Sequence, residues 1–138
     1  MLTKHKTEPL TRKMLYIEDN PANLLLVKQL FARRNNWKLL TAIDGYLGII
    51  IARENLPEVI MMDINLPGIS GFEALVRLQA DPTLAHIPVI ALSSNVYPGH
   101  AEKGVQAGFF RYLTKPYKIN ELMDALEDSL QFSLTNSE

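Results

Sequence analysis

The sequence predicts an open, doubly wound α/β domain built on a five-stranded parallel sheet. Five short apolar segments alternate with five segments that carry helical periodicity or helix-start signals, and the 138 residues suffice for one domain of ordinary size. Strands that are separated by helices pair in parallel through right-handed crossovers. Five such strand–helix units favour the strand order 2-1-3-4-5.

The five predicted strands are short and mostly apolar, as a sheet covered by helices on both faces requires. They span residues 13–18, 37–42, 59–63, 88–92 and 109–114. The resulting (βα)5 arrangement is flavodoxin-like, and ligands of such sheets bind beyond the carboxyl ends of the strands.

Capping residues and apolar spacing mark the intervening helices. Asn20 and Pro21 combine an N-cap with a proline at the first helical position, and Asn120 is predicted to cap the last helix. The helices are predicted at residues 21–34, 46–54, 72–80 and 98–107, and from residue 121 onward. The fourth helix has low intrinsic stability, because Gly99 and Gly104 each cost about 1 kcal/mol relative to alanine.

Composition excludes several classes of function. The formal net charge of −1 gives no overall field that would gather nucleic acid or an anionic membrane. The absence of cysteine excludes disulfides, thiolate zinc sites, iron–sulfur clusters and a cysteine nucleophile. Residues 47–52, the longest apolar run, cannot span a bilayer, and residues 1–13 lack the apolar core of a signal peptide. We therefore expect a soluble, cytoplasmic protein.

Short polar segments flank the predicted domain. Residues 1–12 are predicted to be a flexible leader, residues 13–132 the folded domain, and residues 133–138 a flexible tail. Neither flanking segment has room for a separate effector domain. We therefore expect the domain to act through its own surface.

Polar side chains follow four of the predicted strands at the point where each strand ends. Glu18 and Asp19 follow the first strand, Asp63 ends the third, Ser93 follows the fourth, and Lys115 follows the fifth. With the order 2-1-3-4-5, these strand ends meet at one edge of the sheet. Each residue alone has a plain structural explanation, such as a helix cap, an Asx turn or a surface lysine. Their joint placement predicts one functional cleft.

The chemistry of this cleft follows from its charges. Three neighbouring carboxylates repel one another, and a divalent cation relieves the repulsion. Magnesium prefers oxygen ligands and combines one or two carboxylates with waters and phosphate oxygens. A hydroxyl and an ammonium on the far side suit phosphoryl oxygens, and a carboxylate can then act as nucleophile and form an acyl phosphate.

Four motifs make the chain resemble the receiver domain of bacterial two-component response regulators over roughly residues 13–132. They are YIEDN at residues 16–20, MDINLPG at 62–68, ALSSN at 91–95 and YLTKP at 112–116. The resemblance implies that Asp63 is the phosphoacceptor. It also implies a magnesium site, with manganese as an alternative ion, formed by Glu18, Asp19, Asp63 and the backbone carbonyl of Asn65.

The resemblance implies roles for three further residues. Lys115 would pair with the phosphoryl group and with the Asp63 carboxylate, and the Lys115–Pro116 peptide bond would be cis. Ser93 would be the hydroxyl that moves toward the phosphoryl group, although the neighbouring Ser94 is also a hydroxyl. Tyr112 would be the aromatic switch whose rotamer follows Ser93.

The resemblance also implies partners. The phosphoryl donor would be a histidine kinase or a histidine phosphotransfer domain, and the downstream target would be a protein. Such a domain catalyses its own phosphorylation and dephosphorylation but is primarily a signalling switch, and phosphorylation-dependent dimerisation is common in the family. The chain could be a stand-alone regulator or the receiver of a hybrid sensor kinase. We expect no membrane binding, and no direct nucleic-acid binding because the sequence has no helix-turn-helix.

Three other functions fit the same topology. A flavodoxin-like electron carrier would need a glycine- and hydroxyl-rich first loop, whereas residues 18–21 read Glu-Asp-Asn-Pro. A haloacid-dehalogenase-type phosphatase would place its nucleophilic aspartate after the first strand rather than the third. A protein interaction module that works without phosphorylation remains the main alternative, although such modules usually lack one of the site residues present here.

Overall fold

The computed structural model describes residues 11–94 and 98–136, and the predicted fold class is confirmed. Five parallel strands form one sheet in the order β2-β1-β3-β4-β5. The strands are β1 (Arg12–Ile17), β2 (Trp37–Ala42), β3 (Val59–Asp63), β4 (Val89–Ser93) and β5 (Arg111–Thr114). The helices are α1 (Pro21–Ala32), α2 (Gly45–Asn55), α3 (Gly71–Ala80), α4 (His100–Ala107) and α5 (Ile119–Asn136).

The sheet separates two apolar cores. One core packs α2 and α3 against the sheet face that carries Leu15, Ile17, Ile60 and Met62. The other core packs α1 and α5 against the opposite face. Burial on both faces explains why β3 and β4 are fully buried along their whole length.

The parallel register brings the strand ends to one level. Ile17 of β1 pairs with Met62 of β3, so the residues that follow, Glu18 and Asp63, are neighbours. On the other side Asp63 pairs with Leu92 of β4. The positions just beyond β1, β3, β4 and β5 therefore converge, as the sequence predicts for a doubly wound sheet.

Local caps set where the first three helices begin. The side chain of Asn20 accepts a hydrogen bond of 3.0 Å from the backbone N–H of Asn23, as predicted. Asp44 and Ser70 cap α2 and α3 in the same way. These caps satisfy backbone donors that have no partner within the helix.

The start of the last helix differs from the prediction. Asn120 lies inside α5 as its second residue and is not the N-cap. Lys118 precedes the helix instead, and its backbone N–H donates to Oε1 of Glu121 at 2.9 Å. This bond is half of a capping box, in which the third helical residue reaches back to the cap. The predicted N-cap at Asn120 is therefore wrong by two positions.

The ends of the domain extend slightly beyond the predicted bounds. β1 includes Arg12, and α5 continues to Asn136, so residues 133–136 are helical where a tail is predicted. Residues 1–10 of the predicted leader lie outside the described residues. Within residues 11–94 and 98–136, none of the helices has the length and apolar character that crossing a membrane requires.

Candidate functional site

Three carboxylates gather at the carboxyl edge of the sheet. Glu18, Asp19 and Asp63 each place a carboxylate oxygen within 4.8 Å of the other two. Glu18 and Asp63 are buried, whereas Asp19 is exposed. Like charges this close destabilise one another unless a cation lies between them. The cluster therefore has the oxygen donors and the charge to hold a hard divalent cation.

Lys115 joins two of these carboxylates. Its Nζ atom donates to Oδ2 of Asp63 at 2.9 Å and to Oε1 of Glu18 at 3.0 Å. Burial lowers the pKa of Lys115, but the hydrogen bonds and charges of Asp63 and Glu18 outweigh burial and raise it overall. The side chain therefore carries its positive charge at neutral pH.

The backbone holds Lys115 at this edge. Its N–H donates to the carbonyl of Ser93 at 2.7 Å, which extends the pairing of β5 with β4 by one residue. The peptide bond between Lys115 and Pro116 is cis, as the family resemblance implies. Lys115 therefore lies just beyond the carboxyl end of β5, the edge strand at the opposite end of the sheet from β2.

Asp63 is fixed by the loop that follows β3. Its Oδ1 atom accepts a hydrogen bond of 2.8 Å from the backbone N–H of Asn65, while Oδ2 faces Lys115. A side chain at Gly71 would lie 2.8–2.9 Å from backbone atoms of Ile64 and Asp63, so glycine allows α3 to begin against this loop. Asn65 is therefore beside Asp63, and the role of its carbonyl as a metal ligand stays a prediction.

Glu18 has a second set of contacts that the sequence analysis missed. The hydroxyl of Tyr16 donates to Oε1 of Glu18 at 2.8 Å, and the backbone N–H of Asn20 donates to Oε2 at 3.2 Å. Burial, followed by the charge of Glu18, raises the pKa of Tyr16 far above its ordinary value, so the phenol remains a proton donor. The sequence does carry one signal for this contact: in extended chain, residues 16 and 18 point to the same side, and a buried phenol needs a hydrogen-bond partner.

The two hydroxyls at the carboxyl end of β4 differ in exposure. Ser93 is fully buried at the end of β4, and Ser94 is exposed. Ser93 is one residue beyond Leu92, the partner of Asp63 in the sheet, which places it at the level of the acidic cluster. This difference favours Ser93 over Ser94 as the residue coupled to the interior. Asn95, the last residue of the ALSSN motif, lies outside the described residues.

The ring of Tyr112 packs with other aromatic rings between β5 and α4. Its ring makes edge contacts with His100 and Phe109 at centroid distances of 5.2 and 6.3 Å. The ring also lies against Gly104, where an added Cβ atom would overlap it. The Nε2 atom of His100 lies 3.3 Å from Oγ1 of Thr114, one residue before Lys115. Tyr112 is thus packed between the fourth helix and the strand that leads into the site.

Comparison with known proteins agrees with this geometry. The family model of the response regulator receiver domain matches residues 14–127. The polar-differentiation response regulator DivK of Brucella ovis is 31% identical over 121 residues, which cover 88% of this chain and 98% of DivK.

Solved structures have the same fold. The receiver domain of the sensor histidine kinase PA1611 from Pseudomonas aeruginosa is 30% identical, with a TM-score of 0.78 over 88% of this chain and 98% of that one. That structure is described with a magnesium ion coordinated in its active site cleft. The chemotaxis response regulator CheY4 of Vibrio cholerae, at 23% identity, shares the fold with a TM-score of 0.78 over 87% of this chain and 99% of CheY4. The chain therefore belongs to the response regulator receiver domain family.

Proposed function

We propose that this domain is the phosphoacceptor of a two-component phosphorelay and that Asp63 receives the phosphoryl group. The observation that carries the proposal is the pair of hydrogen bonds from Lys115 to Asp63 and Glu18. They place a fixed positive charge beside the Asp63 carboxylate, where a transferred phosphoryl group adds negative charge. Membership of the receiver family supports the same assignment.

In the proposed reaction, a carboxylate oxygen of Asp63 attacks the phosphorus of a phosphohistidine in line with the bond to the imidazole nitrogen. The new O–P bond gives an acyl phosphate while the P–N bond breaks, and its electron pair stays on the imidazole nitrogen. Water later hydrolyses the acyl phosphate, which restores Asp63 and releases inorganic phosphate. The domain catalyses both steps on itself. Its phosphorylation changes its conformation, and that change is the signal.

Glu18, Asp19 and Asp63 are the proposed ligands of a magnesium ion, with the backbone carbonyl of Asn65 as a further ligand and manganese as an alternative ion. The donor set fits this ion because three carboxylates converge within 4.8 Å and offer hard oxygen atoms. When bound, the cation would offset the negative charge of the acidic cluster and of the incoming phosphoryl group. Asp19 is the exposed member of the cluster, so a cation would enter the site from its side.

The proposed switch runs from Ser93 to Tyr112. After phosphorylation, the hydroxyl of Ser93 and the ammonium of Lys115 turn toward the phosphoryl oxygens. Ser93 is buried at the end of β4, and Tyr112 packs on the α4 side of β5, so movement at one is transmitted to the other through these strands. The surface formed by α4, β5 and α5 then changes its affinity for a partner.

The proposed partners follow from this scheme. A histidine kinase or a histidine phosphotransfer domain supplies the phosphoryl group in the cytoplasm, and a protein target reads the switched surface. We also propose phosphorylation-dependent dimerisation on that surface, because it is common in the family. Folded residues 13–132 form the unit that carries all these steps.

The proposal is tested by incubating the protein with acetyl phosphate and Mg²⁺ and measuring phosphorylation on intact protein by mass spectrometry. We expect one phosphoryl group on the parent, none on Asp63→Asn, and none after removal of Mg²⁺ with a chelator. Asp128→Asn is the matched control, because it makes the same change at an exposed carboxylate on α5. Equal phosphorylation of the parent and Asp63→Asn would overturn the assignment.

A further inference from the structure

Glu18 is the most enclosed carboxylate of the acidic cluster, and its two oxygen atoms have different surroundings. Oε1 accepts hydrogen bonds from the Tyr16 hydroxyl at 2.8 Å and from Lys115 Nζ at 3.0 Å. Oε2 accepts one bond of 3.2 Å, from the backbone N–H of Asn20. A carboxylate oxygen has two lone pairs, so the contacts at Oε1 use both of them, whereas Oε2 keeps one that no described residue uses.

The free lone pair therefore belongs to one defined atom. Because Oε1 is satisfied by the phenol and the ammonium, Oε2 is the atom of Glu18 that can face a cation or a water bound to it. Glutamate has one more rotatable bond than aspartate, and a buried glutamate that can turn would not present a fixed oxygen. Tyr16 is 1% exposed, so its ring is fixed by packing and its hydroxyl is held in place.

We propose that Tyr16 is a positioning residue that sets the affinity of the acidic cluster for a divalent cation by holding Glu18 Oε1. The inference rests on the function proposed above, and it assigns to Tyr16 a role that acts only through Glu18. Groups that orient metal ligands in this way commonly change metal affinity by about 10–100-fold when they are removed.

The test measures Mg²⁺ binding to the unphosphorylated protein by isothermal titration calorimetry. We expect Tyr16→Phe to weaken Mg²⁺ binding by about tenfold, because the buried carboxylate loses the donor that fixes it. Tyr117→Phe is the matched control, since Tyr117 borders the same cavity of about 400 Å³ as Tyr16 and loses the same hydroxyl. Its Mg²⁺ affinity should equal that of the parent.

A second experiment, in the Glu18→Asp background, distinguishes a role of Tyr16 in positioning Glu18 from a general role in packing. In Glu18→Asp the side chain is one methylene shorter, so we expect its carboxylate to lie beyond hydrogen-bond reach of the Tyr16 hydroxyl. Adding Tyr16→Phe to Glu18→Asp should therefore leave the Mg²⁺ affinity of the single variant unchanged. Urea unfolding of each variant verifies that the protein titrated is folded.

Three results would overturn the inference. The first is equal Mg²⁺ affinity of Tyr16→Phe and the parent, and the second is the same tenfold loss in the Glu18→Asp background, which would show that Tyr16 acts through packing. In both cases the parent still binds Mg²⁺, so the proposed function stands. The third is a parent that binds no Mg²⁺, and this result would overturn the proposed metal site as well.

Discussion

The Nζ atom of Lys115 lies 2.9 Å from Oδ2 of Asp63, although the two residues are 52 positions apart in the sequence. The same atom lies 3.0 Å from Glu18 Oε1, so one ammonium bridges two carboxylates. The side chains of Glu18 and Asp63 are only 1% and 10% exposed. The two buried carboxylates share the single positive charge of Lys115. Removing that charge should therefore destabilise the protein, and binding of a second cation is favoured.

Lys115→Met should destabilise the protein strongly. Removing one partner of a buried ion pair typically costs about 3–5 kcal/mol, because the remaining charge is left uncompensated. Added Mg²⁺ should stabilise this variant more than the parent, since it supplies the missing positive charge. Urea unfolding with and without Mg²⁺ measures both effects.

Lys103→Met is the control for this substitution. Lys103 is exposed on α4, and we expect its replacement to change the free energy of unfolding by no more than about 0.5 kcal/mol. Equal stabilisation of the parent and Lys115→Met by Mg²⁺ would contradict the account.

The lowered pKa of Asp81, which lies away from the site, predicts that the stability of the protein depends on pH. The hydrogen bond from Arg53, together with those from Thr83, lowers the pKa of Asp81 below its ordinary value of 3.8. A carboxyl group with a lowered pKa contributes stability above its unfolded pKa and loses it as the pH falls through the folded pKa. Asp81→Asn should therefore lower the Tm at neutral pH, and its difference from the parent should shrink below pH 3.8.

Thermal unfolding between about pH 2 and about pH 7, at which Asp81 is ionised, checks this expectation. Asp128→Asn serves as the comparison, because the Asp128–Arg111 pair has both side chains about half exposed. We expect a smaller change in Tm for Asp128→Asn at neutral pH, since exposed ion pairs contribute little. A constant difference between the parent and Asp81→Asn across this range would argue against the pKa assignment.

Gly104→Ala tests how Tyr112 is seated. On helix propensity alone the substitution should stabilise α4 by up to about 1 kcal/mol. The added Cβ atom would overlap the Tyr112 ring, so we expect a net destabilisation of about 1–3 kcal/mol instead. In the Tyr112→Ala background the overlap is gone and the sign should reverse. Urea unfolding of the four proteins of this cycle is the measurement, and destabilisation in both backgrounds would show that Tyr112 does not fill this space.

Much of the fold and the position of the site follow from local sequence signals. Apolar strands that alternate with capped helices predict a parallel sheet, and the carboxyl ends of its strands then bring Glu18, Asp63 and Lys115 together. This inference needs only the strand order, so no distance between these residues has to be known in advance. The motifs around them predict the family that the comparisons confirm.

Side-chain geometry is less predictable from the sequence. The helix α5 begins at Ile119 because Glu121 reaches back to Lys118, and an asparagine nearby gives the same signal as a true cap. The bond between Tyr16 and Glu18 depends on two rotamers inside the core, which alternation along a strand does not determine. The space that Gly104 leaves for Tyr112 likewise depends on how closely α4 packs against β5.

The central claim is that Asp63 carries the phosphoryl group, and reductive trapping tests it most directly. Sodium borohydride reduces an acyl phosphate to an alcohol and so converts a phosphorylated aspartate into homoserine. After treatment with acetyl phosphate and Mg²⁺, followed by borohydride, peptide mass spectrometry should find homoserine at position 63 and aspartate at position 19. Homoserine at position 19, or an unmodified Asp63 in protein that has taken up phosphate, would contradict the account.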